Sequence, residues 1–316
     1  MYKKKILTAI VTATLSFGTF GISSVSYAST QAEQELIEYL KSVGIQDNVT
    51  WERIEGDTLS KAKVYGISYV PDAGAKQEEK VTIKEMTFND YSVSDNGVST
   101  DVRYKGITDE DGVHILLSKK LMSDLKLQDL GYEKLDDIQI NLKYTMDKTE
   151  GTLDGSLQVE QDDVLDVATS FKTEGLDMLI NSLVSLDVAA LDPNIILMSA
   201  MAAKIHNFSL ELDDDGYNKR LLEHESGHRD EIDAQYKSCL EGVEEFSLKG
   251  QEQGCAAIRD YFLAEKDKLH ISINPQRPFS VAEYMPMFML VGSAGPDAMS
   301  KLVEKILQDL NLKISN

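Results

Sequence analysis

Apolar and polar residues alternate along much of the chain between about Val49 and Phe171. Val64 to Val70, Val81 to Phe88 and Ile138 to Tyr144 show it most plainly, each placing apolar or β-branched residues at every second position. A period of two puts those side chains on one face of a strand, which predicts antiparallel sheet with one buried side. Asp95-Asn96-Gly97, Asp109-Glu110-Asp111-Gly112 and Asp154-Gly155 supply turn chemistry between such segments. Helical spacing of Leu121, Met122, Leu125 and Leu127 predicts a helix over Ser118 to Leu127.

Beyond residue 150 the pattern starts as sheet and turns helical. Thr152 to Phe171 reads as a hairpin, and helices follow from Leu176 to Leu186 and from Pro193 to Lys204, the second opened by Asp192 with Pro193 at its first position. Ile205 to Leu212 alternates as a strand and ends at Asp213-Asp214-Asp215-Gly216. A helical hairpin over about 217–265, a strand from Leu269 to Ile273, helices from Val281 to Leu290 and Asp297 to Leu307, and a last strand from Leu310 to Ile314 complete the reading. The order strand, Asp/Asn-Gly turn, strand, Gly-initiated apolar segment occurs around Val81 to Ile107, with Gly106, and again around Leu153 to Leu179, with Gly175. The expected fold is therefore α+β: antiparallel β-sheets in two loosely repeated halves, 29–150 and 151–316, each with packed helices, plus the helical hairpin in the second half.

The N-terminus changes the setting. Lys3-Lys4-Lys5 precede an apolar run from Ile6 to about Ile22, and Ser26-Tyr27-Ala28 places small residues where a signal peptidase reads them. This is the layout of a secretory signal peptide cleaved after Ala28, so the mature protein is expected in the periplasm or secreted. Thr30 and Glu33 then form a capping pair that opens an amphipathic helix. Loss of three lysines with residues 1–28 takes the formal charge from −21 to −24. Such a balance repels phosphate backbones, which argues against a nucleic-acid partner. The longest later apolar stretch, Leu176 to Ala203, is broken by Asp177, Asp187, Asp192 and Pro193, so no integral membrane protein is expected after cleavage.

Repeated hairpins in an exported chain, the strand Ile205 to Leu212 meeting a helix through Asp-Gly, the run Leu269-His270-Ile271-Ser272-Ile273-Asn274-Pro275-Gln276-Arg277-Pro278 and a terminal strand make the sequence resemble uncharacterised bacterial envelope proteins with AsmA-like or YdgA-like β-repeats. The resemblance implies a role in envelope lipid handling or assembly and carries over no catalytic residue.

Cys239 and Cys255 are the two cysteines of the chain. In an oxidising compartment such a pair reads as a disulfide. On one straight helix their Cα atoms would lie about 24 Å apart, so the bond requires a turn, for which Gly250 and Gly254 are available.

Three segments invite chemistry. His224-Glu225-Ser226-Gly227-His228 matches H-E-x-x-H, in which two His four apart on a helix ligate Zn²⁺ and the Glu deprotonates the bound water. Arg229, Asp230 and Glu231 follow it, however, and the third-ligand positions of metzincin-like enzymes hold Glu231 and Ala234. That context reads as a solvated helical face, with Glu244, Glu245 and Glu252 as the acids available to complete a site. Asp213 to Gly216 suits a strand-to-helix turn better than a calcium loop, because Glu211 and Leu222 stand where such a loop needs Asp and Glu. Met285, Met287 and Met289 around Pro286 suit adaptable core or the lining of an apolar ligand site more than a copper site.

The leading expectation is an exported non-enzymatic envelope protein that binds an apolar ligand such as a lipid, or an envelope protein partner, with no cofactor. The alternative is a zinc metallopeptidase with His224 and His228 as ligands and Glu225 as base.

Overall fold

A computed structural model describes residues 30–42, 45–70, 80–122, 127–177, 198–199, 201–246, 248, 250–291 and 296–316. Residues 1–29, where a signal peptide is expected, lie outside them, as do 178–197 and 200 in the two helices expected between Leu176 and Lys204. The strands are β1 (Val49–Thr50), β2 (Arg53–Glu55), β3 (Lys63–Tyr69), β4 (Val81–Ser94), β5 (Gly97–Asp109), β6 (Gln139–Asp147), β7 (Thr152–Glu160), β8 (Leu165–Glu174), β9 (Lys204–Asp214), β10 (Lys268–Ile273), β11 (Phe279–Ser280) and β12 (Leu312–Ser315). The α-helices are α1 (Gln31–Ser42), α2 (Tyr217–His224), α3 (His228–Glu245), α4 (Glu252–Phe262), α5 (Met285–Val291) and α6 (Pro296–Leu310).

The alternating segments became strands, but two loosely repeated halves are not what they build. The strands form one 12-stranded sheet in the order β1-β3-β4-β5-β6-β7-β8-β9-β10-β12, with β2 on β3 and β11 on β9. The pairings are antiparallel, and sheet and helix are both present, so the chain is α+β only in that coarse sense. The apparent echo fails at Gly106. That glycine opens no helix; it lies inside β5 at φ +69°, a backbone state closed to most residues, and donates its N–H to the Ile138 carbonyl.

The described residues fall into two compact units, one reaching Lys143 and the other beginning at Tyr144. In the first, the Glu33 N–H bonds to Thr30 Oγ1 at 3.3 Å, the expected cap of α1. Ala32, Leu36, Tyr39 and Leu40 recur at helical spacing and pack onto Val64, Ile67, Met86, Phe88 and Val102. The helix expected over Ser118 to Leu127 is not formed over 118–122, and 123–126 lie outside the described residues. Short 3₁₀ turns at Ile115–Leu117 and Leu127–Leu130 flank the region instead. The cause is Asp109, whose buried carboxylate accepts the Asp111 and Val113 N–H groups and, at 2.6 Å, the Ser118 hydroxyl.

In the second unit the register sorts the two faces. Val159, Val167, Leu212 and Leu269 align across four strands, as do Ser156, Ser170, Ser209 and Ser272 on the alternate positions. α4 covers part of the apolar side, with Ala257 and Tyr261 against Leu165, Leu212, Leu269, Ile271 and Ile314. A second cluster gathers Phe279, Tyr284 and Leu302 with Ile205, Met287, Ile306 and Leu310. This cluster anchors α5 and α6.

Candidate functional site

The H-E-x-x-H match does not become a helical zinc motif. α2 ends at His224, Glu225 is extended at φ −101° and ψ 104°, Gly227 takes φ +88°, and α3 starts at His228. The two imidazoles are therefore not one turn apart on a single helix, the geometry the chemistry needs. The Nδ1–H of His224 donates to the Arg220 carbonyl at 3.0 Å, and both His224 and Glu225 are exposed to solvent. Among the described residues no group of three His, Cys, Asp or Glu side chains is arranged to hold a metal ion. The residues present do not fit a zinc centre of this type.

Asp213 to Gly216 forms the strand-to-helix turn that its residues suggest. The Asp214 carboxylate accepts the Asn218 N–H at 3.0 Å at the start of α2, and Gly216 supplies φ +107°. Burial pushes the Asp214 carboxyl up from its ordinary range, while the backbone N–H groups of Asn218, Gly216 and Tyr217 pull the other way. This acid works as a helix cap.

Cys239 on α3 and Cys255 on α4 form a disulfide with Cα atoms 6.0 Å apart. Gly250, at φ +86°, lies in the turn between the helices. Gly254 instead lies inside α4, where its missing side chain admits Ile314 of β12: a Cβ there would stand 3.2 Å from the Ile314 Cβ. The bond staples α3 to α4, and the close approach of Gly254 to Ile314 sets α4 against β12.

The three methionines do not converge. At about 100° per residue, Met285 and Met289 share one side of α5 and Met287 the other. Met287 packs into the cluster around Tyr284 and Leu302. Met289 is 75% exposed, and it stands between Phe288 at 38% and Leu290 at 70%. Val281, just before the helix, is exposed as well. The second unit thus presents an apolar tip at the end of α5.

Beside this tip lies a cleft of about 430 Å³ that residue patterns did not reveal, lined by Arg277, Phe279, Glu283, Tyr284, Gln308 and Asp309 among others. β11 pairs with β9 at Ile205 and Lys204, which fixes one wall. The Asn274 N–H bonds to the Leu310 carbonyl at 3.1 Å, tying the Pro275 to Pro278 run to the end of α6. Phe279 and Tyr284 stack with ring centroids 5.0 Å apart. The Tyr284 hydroxyl donates a short hydrogen bond to Asp309, which also receives Lys305 Nζ at 2.7 Å. The Lys305 bond, then the Tyr284 bond, hold the Asp309 carboxyl below its ordinary range. Burial, then the Asp309 bond, push Tyr284 up to about 12. Arg277 reaches Glu283 at 3.2 Å with its side chain 72% exposed. The sequence held one pointer, an arginine between Pro275 and Pro278, but Gln308 and Asp309 on the facing wall lie about thirty residues further on.

A family model described as "Uncharacterized protein" matches residues 158–316, and the chain belongs to that family. The match runs from within β7 through the C-terminal strand, so it takes in the hairpin, the cleft and the apolar tip. No curated protein matches the chain.

Proposed function

We propose that the mature chain is an exported, non-enzymatic binding protein that docks on a lipid surface through the apolar tip of α5. The observation that carries this reading is the exposure of Met289 and Leu290 at 75% and 70%, side by side at the end of a short helix. Apolar side chains exposed singly are ordinary, whereas a contiguous set marks an interaction site. With Phe288 the tip offers a few hundred Å². That falls short of the roughly 800 Å² a side of a stable protein interface but suffices for insertion at a bilayer boundary. The charge narrows the lipid, because a mature chain at −24 is repelled by anionic headgroups. The implied surface is uncharged or zwitterionic.

Among the described residues no helix is long and apolar enough to cross a membrane. The Lys3 to Ala28 segment supports export, and the disulfide suits an oxidising compartment. Co-sedimentation with neutral vesicles tests the proposal. The wild type is expected in the pellet, and Met289→Ser with Leu290→Ser should weaken binding by at least about tenfold, since burying either side chain is worth roughly 1.5 kcal/mol or more. A wild type that stays in the supernatant, or a variant that pellets equally, overturns it.

A further inference from the structure

The cleft and the apolar tip are close neighbours. Tyr284 lines the cleft and α5 starts at the next residue, so Met289 stands about 7.5 Å further along the helix. A ligand whose apolar part sits at the tip can reach the cleft with its polar end. The volume, about 430 Å³, falls within the range of small-ligand sites.

The charges in and around the cleft are mixed, in contrast to the chain as a whole. Arg277 lies in it with Glu283 and Asp309, while Lys305 bonds to Asp309 and Lys204 acts on Glu283 from the neighbouring strand. The Arg277 charge is felt by both Asp309 and Tyr284. A net anion would face two carboxylates here and the field of a mature chain at −24. A net cation would face Arg277, with Lys305 already on Asp309 and Lys204, bonded to Glu174, near Glu283. A zwitterion places each of its charges beside an opposite one.

We propose that the cleft seats a zwitterionic phospholipid headgroup, its phosphate on Arg277 and its ammonium on Glu283 and Asp309. The proposal rests on the lipid-docking reading and names the lipid class that reading leaves open. A guanidinium offers five N–H donors, so its contact with Glu283 leaves donors for phosphate oxygens in the paired geometry that suits them. Phe279 and Tyr284, buried and stacked on each other, form the floor of the cleft beneath these charges.

The test compares phosphatidylcholine vesicles with vesicles of the same acyl chains carrying an uncharged galactosyl headgroup. The wild type is expected to bind phosphatidylcholine about tenfold more tightly, the scale of one charge-assisted contact. Arg277→Ala should lose that preference and keep its galactolipid binding, Arg277→Lys should retain part of it, and soluble glycerophosphocholine should compete with phosphatidylcholine vesicles. Equal wild-type affinity for the two vesicles, or a preference that survives Arg277→Ala, overturns the headgroup site and leaves the apolar docking intact. If the wild type binds neither vesicle, the lipid reading falls and the headgroup site with it, and a protein partner becomes the occupant of the tip.

Discussion

Tyr284 shows how much one side chain does in this molecule. It closes the cluster under α5, stacks on Phe279 and holds Asp309 in place. Its hydroxyl keeps a proton in the folded state to a pH of about 12, against 10.0 ordinarily, so its contribution is whole below pH 10 and is lost as pH rises toward 12. Asp309, held below 3.8, works at the opposite end: its contribution is whole above that value and fades as pH falls below it. Thermal melts between pH 8 and 12 should therefore fall less steeply for Tyr284→Phe than for the wild type. The remaining slope belongs to Tyr217, Tyr261 and lysines such as Lys204 and Lys268, whose protons are also held more tightly. Identical slopes would contradict this account of the site. Gly227 marks where single residues mislead: inside a helix a glycine costs only about 1 kcal/mol, so H-E-S-G-H remains compatible with a continuous helix until the backbone takes φ +88° there.

At the scale of elements, the strands were legible because one face is buried and a slip of one residue would expose every apolar side chain. The register of Val159, Val167, Leu212 and Leu269 embodies that rule. The disulfide was legible from the number and spacing of the cysteines, which left a turn as the only route to a bond. Its expected contribution is about 3 kcal/mol, given a separation of 16 residues. Replacing Cys239 and Cys255 with Ala should lower the unfolding free energy by that amount in denaturant titrations, and a reductant should bring the wild type to the same curve. Superimposable oxidised and reduced curves would mean that the hairpin is held by packing alone. The Ser118 to Leu127 helix was misread because its apolar spacing is helical while Asp109, nine residues before Ser118, ties the chain into a loop. Periodicity has no access to a bond of that kind. The cleft escaped for a related reason, since Arg277, Tyr284 and Asp309 share no spacing and meet only once α6 packs back on β11 and α5.

For the molecule as a whole, the repeated-halves picture failed because similar hairpins are also what one long antiparallel sheet requires. Gly106 resembled Gly175 in sequence, but it lies within β5 whereas Gly175 follows β8. Charge and the expected export signal bear on the environment without defining a site; the proposed site came from a short helix whose apolar residues are exposed on a chain otherwise rich in acids. Direct insertion of that helix into lipid is the claim on which both proposals stand. Trp51, the single tryptophan, packs against the α1 core of the first unit, so a second tryptophan at position 289 gives a local reporter. With vesicles of phosphatidylcholine brominated in its acyl chains, emission from Met289→Trp should shift to shorter wavelength and be quenched while that of Trp51 in the wild type is unchanged. Emission from the variant that stays at the wavelength of a water-exposed indole and is not quenched would contradict the account.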